Sequence, residues 1–288
     1  MSAQDTVFSE KKMLDFGVCV LDLSSPVVMG ILNVTPDSFY DGGNYFSEKK
    51  FFEQVEKIFL EGADMIDVGA VSTRPKAVFV SEEEELKRLL PVIEYVRKNH
   101  PKKIISVDTF RAEVAKKAVT EGANMINDIS GGKMDPKMFE TVAKLNVPYV
   151  LMHIQGIPET MQENPQYENV LEEVKKYFLE RLFLLKKLGL EKIILDPGFG
   201  FGKNNSHNFQ LLKYLNEFKS FGFPLMVGVS RKSMIQNVLN ISAAESLNAT
   251  TSLNTIALLN GATILRVHDV KEAKQAVELL AFYQKASD

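Results

Sequence analysis

The chain has 288 residues, 45% hydrophobic and 25% charged, a make-up that excludes disorder as its main state. Its 34 basic and 37 acidic residues leave a formal net charge of -3, which argues against nucleic acid or an anionic membrane as a partner. No apolar stretch approaches the roughly 18 to 20 residues of a membrane span. Residues 1–12 are polar and lack the apolar core of a secretory signal, and the one cysteine, Cys19, leaves no intrachain disulfide or multi-cysteine metal site. A cytoplasmic location is therefore expected.

In chain order, residues 13–23 alternate loosely and predict a small hairpin. Short apolar runs follow at 27–32, 65–68, 104–107, 125–126, 149–152, 193–195, 225–229 and 264–267. Most are rich in Val and Ile, which suits strands of a parallel sheet buried on both faces. Helix-period segments lie between them. Phe51, Phe52, Val55, Ile58 and Phe59 share one face, as do Val170, Leu171, Val174, Tyr177 and Phe178. Ser81 with Glu84 and Ser242 with Glu245 match a capping box, Asp135-Pro136 predicts an N-cap followed by proline, and Pro91 predicts a kink. Eight strand–helix units predict an α/β fold, a (β/α)₈ TIM barrel, which typically needs roughly 250 residues. An open, doubly wound sheet is the alternative, because counting repeats does not close a barrel. The expected organisation is an N-terminal segment with the hairpin over 1–26 and one barrel domain over 27–288.

Polar residues stand at or near the end of every apolar run: Asn33, Asp67, Asp108, Asn127 with Asp128, His153, Asp196, Ser230 and His268. A lone strand-end Asp is often a cap or turn residue. In a barrel, however, the carboxyl ends of all strands converge on one mouth. Arg74, Lys203, Arg231, Lys232 and Arg266 are expected at the same rim. Cations beside Asn and His suit a phosphorylated ligand, and carboxylates suit a ligand with several N–H donors, such as an aminopyrimidine edge. The segment from Gly198 through Lys203, Gly-Phe-Gly-Phe-Gly-Lys, is neither a Walker A loop nor a dinucleotide fingerprint. It reads as a tight turn, or as backbone passing close to a ligand with Phe199 or Phe201 as an apolar wall. The four histidines lack zinc-site spacing, while a magnesium ion held mainly by substrate phosphates needs only one or two protein oxygens. There is no Gly-x-Ser-x-Gly elbow, which disfavours covalent serine catalysis.

Taken as linked blocks, these strand ends resemble the dihydropteroate synthase family. The blocks are Met29-Gly-Ile-Leu-Asn33-Val-Thr-Pro-Asp37-Ser-Phe39 with Asp41-Gly-Gly43; Asp67-Val-Gly with Ser72-Thr-Arg74-Pro75; Ser106-Val-Asp108-Thr; Asn127-Asp128-Ile; and Leu151-Met-His153. Asp196-Pro-Gly-Phe-Gly-Phe-Gly-Lys203, Ser230-Arg-Lys232-Ser233 and Arg266-Val-His268-Asp269 complete the series in the family's order. The resemblance implies a homodimeric barrel that uses Mg2+ and joins 7,8-dihydropterin-6-ylmethyl diphosphate to 4-aminobenzoate, with sulfonamides competing for the second site. It implies that Asp108, Asn127, Asp196, Lys232 and Arg266 bind the pterin. Asn33, Thr73, Arg74, Arg266 and His268 would hold the diphosphate, and Asn33 would contact the metal. Phe39, Pro75, Phe201 and Ser233 would hold the aminobenzoate. Asn33, Asp41, Arg74, Lys232, Arg266 and His268 would serve the chemistry, with Asp41 or water taking the final proton. Ala70, Val71, Lys76 and Ala77 depart from common family residues and would alter how the second loop meets aminobenzoate and sulfonamides. A pterin-dependent methyltransferase and a non-catalytic pterin-binding protein are the other readings.

Overall fold

The structure, a computed structural model, describes residues 13–35, 44–71, 80–158 and 160–286, with 44–48 described by backbone only. β1 (Met13–Asp15) and β2 (Val20–Asp22) pair antiparallel, forming the expected hairpin. The apolar runs become β3 (Val27–Asn33), β4 (Met65–Gly69), β5 (Ile104–Asp108), β6 (Met125–Asp128), β7 (Tyr149–Met152), β8 (Ile193–Asp196), β9 (Met226–Val227) and β10 (Ile264–Val267). These eight are parallel, in the order β8-β7-β6-β5-β4-β3-β10-β9. A parallel bridge from Leu195 to Leu225 joins the two ends, and the Leu195 N–H donates to the Pro224 carbonyl at 2.9 Å. The ring thus closes as a barrel rather than staying an open doubly wound sheet.

The helices are α1 (Asn44–Leu60), α2 (Glu82–Asn99), α3 (Ala112–Thr120), α4 (Met138–Leu145), α5 (Val170–Lys187), α6 (Asn205–Lys213), α7 (Ser233–Leu239), α8 (Leu247–Leu259) and α9 (Val270–Lys285). Ser81 caps α2 by accepting the Glu84 N–H at 3.1 Å, and the helix runs on through Pro91. Asp135 does not cap α4 directly. Its Oδ1 accepts the Lys137 N–H in a turn, and its Oδ2 accepts the Ala112 N–H at the start of α3. Glu245 accepts the Ser242 N–H at 2.9 Å and opens a short 3₁₀ turn ahead of α8.

Side chains alternate across a strand, so each barrel strand sends every second residue inward. Ile66, Val68, Ile105, Val107, Leu151, Leu195, Val227 and Leu265 point outward and pack under the helices. Val27, Met29, Met65, Ile104, Met125, Val150, Ile194, Met226 and Ile264 form a buried inner layer. Leu14, Phe16 and Leu23 from the hairpin segment close that layer from below. Burying such side chains stabilises the fold by about 1.5–3 kcal/mol each. This apolar floor sets the register of everything above it.

Candidate active site

One pleat above the floor, the inward positions turn polar. Two residues beyond Met65, Ile104, Met125, Ile194 and Ile264 stand Asp67, Ser106, Asn127, Asp196 and Arg266. Asp108 follows one pleat further on β5, and His268 lies just past β10. Strand register brings them together, with Asp67 opposite Ser106 and Asp108 opposite Asn127.

Asp67 is fully buried. It accepts Ser106 Oγ through Oδ1 at 2.5 Å, and Asn127 Nδ2 and Arg266 Nε through Oδ2 at 2.9 and 2.6 Å. Arg266 Nη2 donates to Asp108 Oδ2 at 2.9 Å, so two carboxylates fix one guanidinium. Asn127 Oδ1 is buried and has no hydrogen-bond partner among the described residues. A buried acceptor left unmet costs about 1–3 kcal/mol, the kind of cost a ligand's donor relieves.

The charges are tuned by the same burial. Desolvation raises Asp108 to about 7; Arg266 opposes it, while Asp67, Glu85 and Asp128 add to it. Asp196 is also raised by burial, tempered by Lys232 and by the Gly198 N–H, which donates to its Oδ1 at 2.7 Å. Lys232 is lowered to about 8 by burial, with Asp196 drawing it back up. Its Nζ donates to the Phe199 carbonyl and lies 4.7 Å from the Phe201 ring centroid. His268 sits exposed at the rim. Partial desolvation within the mouth, and then the cationic Arg266, lower it to about 4, so it is neutral at pH 7. The His268 backbone N–H donates to Ser230 Oγ, which also lies 3.1 Å from the ring Nδ1.

Asn33 ends β3 exposed at the mouth. Phe201 is half-buried against Ile129, Met152, Ile154 and Met161, and Ser233 is exposed at the start of α7. Phe39, Asp41, Thr73, Arg74 and Pro75 lie outside the described residues. Among the described residues, no group of three or more His, Cys, Asp or Glu side chains is placed to hold a metal.

Several rim expectations are corrected. Lys203 is buried, and its Nζ donates to the Gly198 and Phe201 carbonyls at 2.9 and 3.0 Å and reaches His153 Nδ1 at 2.9 Å. It staples the glycine-rich turn from within, and His153 is its partner rather than part of the mouth. Gly198 has φ +73, and a Cβ there would meet the His153 carbonyl at 1.9 Å, so the turn needs glycine. Phe199 is wholly buried in the core, leaving Phe201 as the only one of the pair on the mouth side. Arg231 spends its fork on Asp269 at 2.9 and 2.7 Å, and its Nη1 on the Ala243 carbonyl. Conversely, Asp67 and Ser106 carry no role in the sequence reading. Their signal was present as the position two residues beyond an apolar floor residue.

The geometry has counterparts among known proteins. Residues 29–268 match the family described as pterin binding enzyme. A dihydropteroate synthase of Escherichia coli is 48% identical over 262 residues, covering 90% of this chain and 92% of that protein. The crystal structure of the Yersinia pestis dihydropteroate synthase with a sulfonamide drug complex matches with a TM-score of 0.90 at 41% identity, covering 95% of this chain and all of that one. A Xanthomonas albilineans dihydropteroate synthase in complex with 7,8-dihydropteroate matches at 0.86 and 36% identity, covering 96% of this chain and all of that one. A barrel whose inner layer turns polar in this order, at this identity and coverage, belongs to the pterin-binding enzymes and, within them, to the dihydropteroate synthases.

Proposed function

We infer that the chain joins 7,8-dihydropterin-6-ylmethyl diphosphate to 4-aminobenzoate, forming 7,8-dihydropteroate and releasing diphosphate. The observation that carries the reading is the inner polar layer itself. Asp108, Asn127, Asp196, Lys232 and Arg266 converge above a dry floor, and a buried amide oxygen waits for a donor. A 2-amino-pyrimidinone edge supplies such donors to Asp108, Asn127 and Asp196, and Lys232 can donate to its carbonyl side. Arg266 offers a flat guanidinium to the bicycle's face.

At the rim, neutral His268 can donate a hydrogen bond to the leaving diphosphate without adding charge, alongside Arg266 and with Thr73 and Arg74. Asn33, exposed with a hard amide oxygen, fits a magnesium ion carried mainly by substrate phosphates, where the metal would draw charge off the leaving group. Breaking the C–O bond leaves positive charge on the exocyclic methylene, which the electron-rich pterin spreads through its ring. The neutral aromatic amine then forms the C–N bond, and its proton passes to Asp41 or water. Phe39, Pro75 and Phe201 would flank the aminobenzoate ring, and Ser233 would donate to its carboxylate. Sulfonamides are expected to compete there.

Exposed apolar residues on the last helices support a homodimer. Ile256 and Leu259 on α8, and Leu279, Phe282 and Tyr283 on α9, are 42 to 78% exposed. No helix among the described residues is long and apolar enough to cross a membrane. That and the single cysteine support a cytoplasmic enzyme.

Incubating the protein with both substrates and magnesium tests the reading. One dihydropteroate per diphosphate is expected, and none without 4-aminobenzoate. Pterin binding without turnover would favour the non-catalytic reading.

A further inference from the structure

Arg266 and Asn127 both belong to the proposed pterin seat. Both are held by a residue that the reading leaves without a task. Asp67 has both carboxylate oxygens committed, to donors from three other strands: Ser106 on β5, Asn127 on β6 and Arg266 on β10. With no exposed surface, it contacts these neighbours rather than a ligand.

We propose that Asp67 is a positioning residue that sets the hydrogen-bonding polarity of the pterin seat, by forcing the Asn127 amide to present its oxygen to the cavity and by locking the plane of Arg266. A carboxylate only accepts, so the Asn127 amide must turn its NH₂ toward Asp67. Turning it over would set two oxygens against each other in a dry site. The amide oxygen therefore faces the other way, where it is buried and unmatched among the described residues. Arg266 is constrained by the same carboxylate. With Nε on Asp67 and Nη2 on Asp108, its fork cannot rotate without breaking one of two charge-assisted bonds. Asp67 thereby makes this seat select for a ligand edge rich in N–H donors. A purely architectural ion pair would brace the barrel without deciding that selection.

The inference rests on the pterin reading, and two ligands separate the fates of the two. Pterin and lumazine share one bicycle, but lumazine has a carbonyl in place of the 2-amino donor. Calorimetric affinities for both would be measured on the wild type, Asp67→Ala and Asp67→Asn, with melting temperatures alongside. Asp67→Asn can keep an oxygen toward Asn127 and Arg266 while its NH₂ donates to Ser106 Oγ. It should hold the wild-type preference for pterin over lumazine within about threefold, while Asp67→Ala should lose about tenfold of that preference because Asn127 is free to turn. An unchanged preference in a folded Asp67→Ala would overturn the role of Asp67 alone. A wild type that binds the two bicycles equally would overturn the pterin reading itself. If Asp67→Ala does not fold, Asn127→Asp supplies the test. That change sets a carboxylate against Asp67 and should weaken pterin binding at least about tenfold. Adding Asp67→Asn should regain a clear part of the loss, and strictly additive losses would contradict the coupling.

Discussion

Asp196 already accepts one backbone hydrogen bond through Oδ1, so its remaining acceptor capacity is what it offers a ligand. Asp196→Asn turns part of that capacity into a donor facing ring N–H groups. It should weaken pterin affinity about tenfold to hundredfold, read by calorimetry, and an unchanged affinity would remove Asp196 from the seat. Ser233, exposed at the start of α7, should behave differently. Ser233→Ala is expected to raise KM for 4-aminobenzoate several-fold while leaving pterin affinity within about twofold; equal effects on both would mean that the second pocket lies elsewhere. The titrations of Asp108 and Lys232 bracket neutrality. Asp108 offers both oxygens as charged acceptors only when ionised, above about 7, and below it one oxygen becomes a donor facing the ring N–H groups; Lys232 donates as an ammonium only below about 8. The kcat/KM for the pterin substrate should therefore rise through the first value and fall through the second. Asp108→Asn should flatten the acid limb, and a limb that persists unchanged would assign it to another group. At this scale the sequence displayed the acceptors, because each polar residue interrupts an apolar run. It did not display their mutual bonding. Asp67-Val-Gly and Ser106-Val-Asp108 read as two strand ends until register lays Asp67 beside Ser106 and within reach of Arg266, 199 positions away.

Among the elements, the glycine-rich turn after β8 has the most consequences for the site. It carries Asp196 at its start, offers the Phe199 carbonyl to Lys232 and places Phe201 beneath that ammonium. Lys203 holds it in shape from inside, with burial pushing its own pKa well below the lysine range and a strongly depressed His153 accepting at Nδ1. Lys203→Met keeps the stem's bulk but takes the ammonium away from the Phe201 carbonyl and from the Gly198 carbonyl, which then keeps only the Phe201 N–H. A loss of about 3 kcal/mol and a melting temperature lower by on the order of 5 °C are expected by scanning calorimetry; an unaltered melt would mean that water replaces the ammonium at no cost. The sequence could not reveal this. A lysine after a Gly-rich segment looks like a phosphate ligand, and only the fold shows it turned inward. Arg231 misleads in the same way, since its charge is met by Asp269 across the β9 and β10 ends. The strands and the hairpin were legible for a simpler reason. Burial on both faces leaves continuous apolar runs, and the floor needs an apolar plug.

The whole molecule converts a pattern of period two into a cup with a dry base and a polar wall. Closure through Leu195 and Leu225 turns eight separate strand ends into one mouth. Repeat counting leaves closure open, because both ends of the sheet read as ordinary buried strands. The exposed apolar stripe on α9, with Leu279, Phe282 and Tyr283 at helical spacing, predicts a dimer by sedimentation equilibrium. Replacing Leu279 and Phe282 by Glu should yield a folded monomer, and a wild type that sediments as a monomer would reject the assembly. Every role given to the inner polar layer depends on where the bicycle lies. A crystal structure of this chain grown with 7,8-dihydropteroate should show the pterin ring within hydrogen-bond reach of Asp108, Asn127 and Asp196, with the Arg266 guanidinium on its face. Density for the ring outside that inner layer, with those side chains still bonded only to one another, would contradict it.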